Sequence, residues 1–333
     1  MHALAPELKK YRQVFVVCDR NVEAFAREIS GVEEPFCITA DEAHKTMDTV
    51  MDICRALLSA GAGREALRLA VGGGVTTDLA GFAASIYKRG IRYANVPTTL
   101  LGQVDAGIGG KTGVNLDGFK NEVGTIRQPE FTAVFPEVLE SLPEKELRSG
   151  LAEMLKTFVI KNPAHAYERT VALFAAARAN GGLCPAVGDS ELPELIRAAA
   201  GIKQAIVDKD EFEKGGRRKL NLGHSWAHAI EWWQSAAPGR TDLSHGEAVA
   251  IGIVQAARLA EKLGLAEEPG LPARLSEELQ LCGLPSELPC PQGELLPAMR
   301  NDKKAESGRI RLVLPVKVGK VIVKQVNINI LEP

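Results

Sequence analysis

No stretch of the 333-residue sequence reaches the roughly 18 consecutive apolar residues that a membrane-spanning helix needs. No CxxC pair joins any of its six cysteines, Cys18, Cys37, Cys54, Cys184, Cys282 and Cys290, which are scattered along the chain. That scatter argues against a disulfide framework and for reduced thiols in a cytoplasm. Charge of one sign is missing as well. Forty Lys and Arg against 42 Asp and Glu leave a formal charge of -2, so nothing global draws the chain to nucleic acid or to an anionic membrane. A small anionic ligand is still allowed, because local basic clusters act independently of net charge. The opening MHALAPELKKYRQ has no basic start followed by an apolar run, so no secretory leader is expected. Internal repeats and low-complexity runs are absent too. The expectation is a cytoplasmic protein with neither a nucleic-acid nor a membrane partner.

What is present is an ordinary globular composition, 45% hydrophobic and 25% charged, in a chain long enough for two cores. The first part alternates strand-like and helix-like segments. Gln13–Cys18, Glu34–Thr39, Leu67–Val71 and Arg92–Val96 read as strands, and helices are expected from Val22, over Glu42–Ala60 behind an Asp41 cap, and over Asp78–Tyr87. This alternation predicts a parallel α/β sheet with ligands at the carboxyl ends of its strands. Pro97–Asn121 holds Gly102, Gly107, Gly109, Gly110, Gly113 and Gly118 among polar residues and reads as a functional loop. From Pro143 onward helical periodicity takes over, at Glu144–Ile160, Ala164–Ala179, Glu191–Asp210, Asn221–Trp233 and Glu247–Leu263. A hairpin of Ile310–Pro315 and Val321–Val326 follows. The expected division is an α/β dinucleotide-binding domain over residues 1–145 and a mainly α-helical domain over 146–333.

Gly72-Gly73-Gly74-Val75-Thr76-Thr77-Asp78 follows a strand and opens a helix. Such a turn lets backbone approach a phosphate at a positive helix end, although it is not GxGxxG and by itself is more often only a tight turn. His224 and His228, at i and i+4, share one helix face, which suits a metal; taken alone, they read more readily as two satisfied or solvent-facing histidines. His245 begins a further helix, so three of the six histidines fall between positions 224 and 245. A carboxylate would complete an open three-ligand site, but spacing does not choose it among 42 acidic residues. Lys111 and Lys120 in the polar loop, with Lys203, Arg217 and Arg218 further on, could grip phosphate or carboxylate, or could be solvated surface charges.

Five segments give the chain a recognisable character. VGGGVTTDLAGFAASIYKRG, VPTTLLGQVDAGIGGKTGVN, GLAEMLK, RRKLNLGHSWAHAIE and SHGEAVAIG occur in this order, and the sequence resembles the 3-dehydroquinate synthases over about residues 13–325. DKK at positions 302–304 adds a weaker sixth match. The resemblance implies a metal, Zn2+ with Co2+ able to substitute, on Glu153, His224 and His245. It implies NAD contacts at Asp19, Asn21, Glu42, Lys45, Gly73, Gly74, Asp78, Thr98 and Thr99. Substrate phosphate would fall to Lys111, Asn121, Asn221 and His228, with Lys120 beside them, and substrate carboxylate to Lys203, Arg217 and Lys303. Asp105, Lys156 and Glu213 would line the same site, and Arg89 would reach across a homodimer interface.

The implied reaction converts 3-deoxy-D-arabino-heptulosonate 7-phosphate to 3-dehydroquinate and phosphate. It proceeds through transient oxidation by NAD, elimination, re-reduction and aldol closure. His228 paired with Glu213 would relay the hydroxyl proton. The alternatives are a sister sugar-phosphate cyclase of the amino-dehydroquinate or deoxy-inosose type, a metal-dependent polyol dehydrogenase, and a degenerate homologue that only binds. Thr77 stands where the family usually has Gly, Phe119 where it has Gly before Lys120, and Trp226-Ala227 where it has an aromatic–Gly pair. Thr77 puts the pyrophosphate contact in question.

Overall fold

The computed structural model describes residues 4–117, 119–237, 239–300, 305–306 and 308–332. The chain forms two compact units, residues 1–142 and 143–333.

In the first unit a short helix α1 (Ala5–Leu8) precedes β1 (Val14–Asp19), α2 (Glu23–Ser30), β2 (Phe36–Ile38), α3 (Met47–Ser59), β3 (Leu67–Gly72), α4 (Gly74–Ile86) and β4 (Arg92–Pro97). The four strands form one parallel sheet in the order β2-β1-β3-β4. Strand alternation sends Val16, Cys18, Leu69, Val71, Ala94 and Val96 to one face, against Leu4, Leu8, Ala26 and Ile29. Val17, Ala70 and Tyr93 go to the other, against Val50, Ile53 and Leu57 of α3 and Leu79, Ala80 and Ala83 of α4. The chain runs outward in opposite directions from β1 and β3, so the carboxyl ends of these two strands flank the topological switch point, where α/β sheets take their ligands.

Four local expectations need correction. The helix expected over Glu42–Ala60 is broken. Asp41 caps only a single turn, Glu42–His44, and a second cap, Thr46 accepting from the Thr49 N–H at 3.3 Å, starts α3 afresh. Two capping side chains in series leave Lys45 non-helical, at φ -76° and ψ 63°. The helix after the glycine triplet begins at Gly74, not at Asp78, so Gly72 ends β3, Gly73 caps the helix and Gly74 opens it. The glycine-rich loop carries an antiparallel pair, β5 (Lys111–Leu116) and β6 (Phe119–Ile126). In the second unit Asn221 ends a short turn and the helix starts at His224.

That second unit is helical: α5 (Glu144–Ile160), α6 (Ala166–Ala179), α7 (Leu192–Val207), α8 (His224–Ser235), α9 (His245–Lys262), α10 (Leu271–Leu281) and α11 (Gln292–Arg300). A small antiparallel sheet of β7 (Ala305–Glu306), β8 (Arg309–Lys317) and β9 (Lys320–Asn327) closes it. The helices α10 and α11 are additions to the sequence expectation. α5 is buried without a break from Ser149 to Ile160, and α9 from Gly246 to Ala257.

Candidate metal centre and cofactor turn

Three helices of the second unit meet at Glu153, His224 and His245. Glu153 lies mid-way along α5 and is fully buried, while His224 and His245 are the first residues of α8 and α9. Main-chain contact brings these helices together. Gly246 lies so close to α5 that a Cβ there would stand 2.1 Å from the Ser149 carbonyl oxygen, and its N–H donates to Ser149 Oγ at 3.1 Å. A Cβ on Gly252 would stand 2.1 Å from the Gly223 carbonyl oxygen. Gly223 in turn has φ 80°, a left-handed value that glycine adopts without strain.

The result is a cluster in which one ligand atom from each of the three residues lies within 4.8 Å of the other two. Glu153 Oε1 stands 3.7 Å from His224 Nε2 and 3.4 Å from His245 Nε2. It is buried without a hydrogen bond of good geometry, and its other oxygen ion-pairs with buried Lys156. A buried carboxylate oxygen facing two imidazole nitrogens is the donor set of an open zinc site, three protein ligands with room for a fourth. The far nitrogens are held too. His224 Nδ1 lies 3.1 Å from the Leu222 carbonyl and His245 Nδ1 lies 3.3 Å from Glu231 Oε1. These contacts favour the proton on Nδ1 and so aim the Nε2 lone pairs inward. Burial opposes a charge on His245, but Glu153 and Glu231 outweigh it and push its pKa up to about 10. An entering cation therefore has to displace a proton.

His228 stands apart from the ligand set. Its ring centroid is 5.5 Å from that of His224, and its side chain is exposed. Glu213, at φ 57°, accepts a hydrogen bond from Asn221 Nδ2. Arg217 and Lys203 are both buried, and the Arg217 guanidinium donates to the Glu211 carbonyl. Lys303 lies outside the described residues.

In the first unit, Asp19 at the end of β1 accepts from the Asn21 N–H at 3.0 Å. Gly73 caps α4 with no side chain on the helix's first N–H groups. A Cβ on Gly73 would come within 3.0 Å of Thr99, and one on Gly74 within 3.0 Å of Ala106. Bare N–H groups at a helix start, beside Thr98 and Thr99 at the end of β4, suit a pyrophosphate. Lys45 is buried and its Nζ donates to Asp78 and to Asn121 Oδ1, both at 2.6 Å. Glu42 accepts from Asn115 Nδ2 at 2.8 Å. Asp105 lies in the π-helical turn Gly102–Ala106, Lys111 begins β5 with an exposed side chain, Lys120 is exposed on β6, and Arg89 is exposed at φ 67°.

Comparison with known proteins decides the family. The model of the 3-dehydroquinate synthase N-terminal region matches residues 35–149, and that of the C-terminal region matches residues 150–305. The chain belongs to the 3-dehydroquinate synthase family. It is 40% identical to a 3-dehydroquinate synthase of Acidithiobacillus ferrooxidans, over 96% of this chain and 86% of that one. It is also 40% identical to the enzyme of Thermococcus kodakarensis, over 99% and 90%. Among solved structures, a 2-epi-5-epi-valiolone synthase from Streptomyces hygroscopicus subsp. jinggangensis, with NAD+ and Zn2+ bound, superposes with a TM-score of 0.83. It is 31% identical and covers 98% of this chain and 89% of its own.

Against the family pattern, the Thr77 side chain is absorbed locally. It is buried, and its Oγ1 donates to the Gly74 carbonyl at 3.0 Å inside the first turn of α4. Two contributors escaped the sequence reading. Glu231 lies seven residues after His224, two turns along the same face of α8, so the spacing i, i+4, i+7 could have found it. Asn115 had no such signal, because it acts from a strand irregularity.

Proposed function

We propose that this chain is a 3-dehydroquinate synthase that converts 3-deoxy-D-arabino-heptulosonate 7-phosphate to 3-dehydroquinate and phosphate. Family membership over nearly the whole chain supports this reading, and one observation carries it to chemistry. The buried Glu153 Oε1 faces two imidazole nitrogens, each backed by its own acceptor. In this reading residues 1–145 bind NAD through Asp19, Asn21, Glu42, Lys45, Gly73, Gly74, Asp78, Thr98 and Thr99, and residues 146–333 hold the metal on Glu153, His224 and His245. When bound, NAD supplies a reversible hydride acceptor and zinc a Lewis acid that acidifies a coordinated hydroxyl.

The chain's own groups do the rest. Lys156 balances the Glu153 charge within the buried pair. His228, exposed beside the triad, passes the hydroxyl proton on to solvent. Lys111, Lys120, Asn121 and Asn221 seat the phosphate and stabilise its departing charge, while Lys203, Arg217 and Lys303 hold the substrate carboxylate. Asp105 and Glu213 line the same site, and Glu213 holds the Asn221 amide. The reading extends to a cytoplasmic homodimer in which Arg89 reaches the neighbouring protomer's substrate.

The test is to strip the metal with a chelator, then restore zinc or cobalt, with the heptulosonate phosphate and NAD present throughout. Phosphate release should vanish and return, with no net NADH. Release that survives complete metal removal refutes the site, and NADH accumulating in step with substrate loss identifies a polyol dehydrogenase instead.

A further inference from the structure

The antiparallel pair β5/β6 is irregular at one place. Val114 faces Val123 and Leu116 faces Phe119, so Asn115 alone stands opposite the three residues from Lys120 to Glu122. A strand irregularity of this kind re-aims side chains. The main-chain N–H of Asn115 and both ends of its side-chain amide are engaged. Its N–H donates to the Lys45 carbonyl at 2.9 Å, its Nδ2 donates to Glu42 Oε2 at 2.8 Å, and its Oδ1 accepts from the Asn121 N–H at 3.0 Å. Asn121 has φ 57°, a left-handed value that asparagine tolerates better than other residues with a side chain, and which the Asn115 contact helps to fix. Lys45 supplies the second restraint, donating to Asn121 Oδ1 and Asp78 at 2.6 Å each.

We propose that Asn115 is a positioning residue whose single amide couples two subsites, holding Glu42 in place for NAD and Asn121 in place for the substrate phosphate. The inference rests on the functional reading above. The two ends of the amide do different work: the NH2 end serves the cofactor contact and the oxygen serves the phosphate contact. Asn115→Asp keeps an oxygen for the Asn121 N–H but sets a carboxylate against Glu42, whereas Asn115→Ala loses both ends.

Three quantities separate the cases: the NAD Kd by direct titration, the KM for the heptulosonate phosphate at saturating NAD, and Tm. Losing a solvent-accessible hydrogen bond at each end predicts that Asn115→Ala raises both Kd and KM by about 3- to 10-fold. Asn115→Asp should raise the NAD Kd at least as much while leaving KM within about twofold of wild type. In a Glu42→Ala background, adding Asn115→Ala should change the NAD Kd by less than about twofold, because the acceptor of the Asn115 amide is already gone. A purely structural role would move Tm and treat Ala and Asp alike, and that pattern overturns the proposal. So does an NAD Kd unchanged in both variants. The NAD titration needs no turnover, so a wild-type protein that binds NAD yet releases no phosphate sinks the functional reading without touching this result.

Discussion

Glu231→Gln removes one of the two carboxylates that flank His245. In the metal-free protein burial disfavours the imidazolium, but Glu153 and Glu231 outweigh it and push the pKa up to about 10. At pH 7 an entering zinc ion must therefore expel a proton from His245. Three pH units correspond to about 4 kcal/mol, an upper bound because the side chain keeps 32% exposure and solvent screens part of the interaction. Zinc affinity should accordingly climb about tenfold per pH unit from pH 7 toward 10. Glutamine preserves an oxygen for Nδ1 but no charge, so proton competition weakens and the climb levels off earlier. The ligand also becomes less basic, and the limiting affinity should fall by about 10- to 100-fold. The variant should thus lie nearest to wild type at pH 6.5 and fall behind toward pH 9. The assay is zinc competition against a chromophoric chelator across that range at fixed ionic strength. Parallel or coincident curves would refute the reasoning. The same raised pKa stabilises the metal-free fold below about pH 6.5, and this contribution is lost as pH rises through about 10. Metal-free wild type should therefore lose more stability over that window than metal-free Glu231→Gln.

Gly246→Ala forces a methyl to within 2.1 Å of the Ser149 carbonyl oxygen. It should cost about 1–3 kcal/mol of stability and lower zinc occupancy more than NAD affinity, as read by metal analysis and NAD titration on one sample. Arg68 is fully buried, with no hydrogen bond from its guanidinium among the described residues, stacked on Tyr93 at 5.0 Å. Burial pushes its pKa down to about 9, with Tyr93 opposing. Removing an uncompensated buried charge with the volume kept should stabilise the first unit, so Arg68→Met is expected to gain about 1–4 kcal/mol in denaturant titrations. A loss above about 1 kcal/mol would show that the ring contact outweighs desolvation.

The parallel sheet was readable because its strands are short apolar runs bounded by glycine, proline and polar residues. The helical unit was readable because its pattern persists over whole helices. Lys45 was misassigned because Asp41 and Thr46 are equally good caps, and only the tertiary structure shows that both are used. The β5/β6 pair was hidden by its glycines, which resemble loop in composition although Gly113 and Gly124 face each other across the pair. The histidine cluster was visible as density along the chain, but Glu153 sits some 70 residues away on another helix. No periodicity encodes that distance, and only the resemblance pointed to it. The fate of Thr77 was illegible for a local reason: whether a hydroxyl turns outward or bonds its own helix depends on rotamer and burial.

The close approach of α9 to α5 and to Gly223 has a consequence for divergence. Where helices are spaced by interlocking side chains, a larger residue on one can be answered by a smaller one on the other, and the spacing drifts. Here the spacing at Gly246 and Gly252 is main chain against main chain, and a β-carbon has no compensating partner to shrink. Descendants of this sequence can exchange most of the helical core while His224 and His245 keep their separation from Glu153. The tolerance ends at Gly223, Gly246 and Gly252, where any side chain must push main chain aside. Anyone repacking this unit for stability should leave those three untouched.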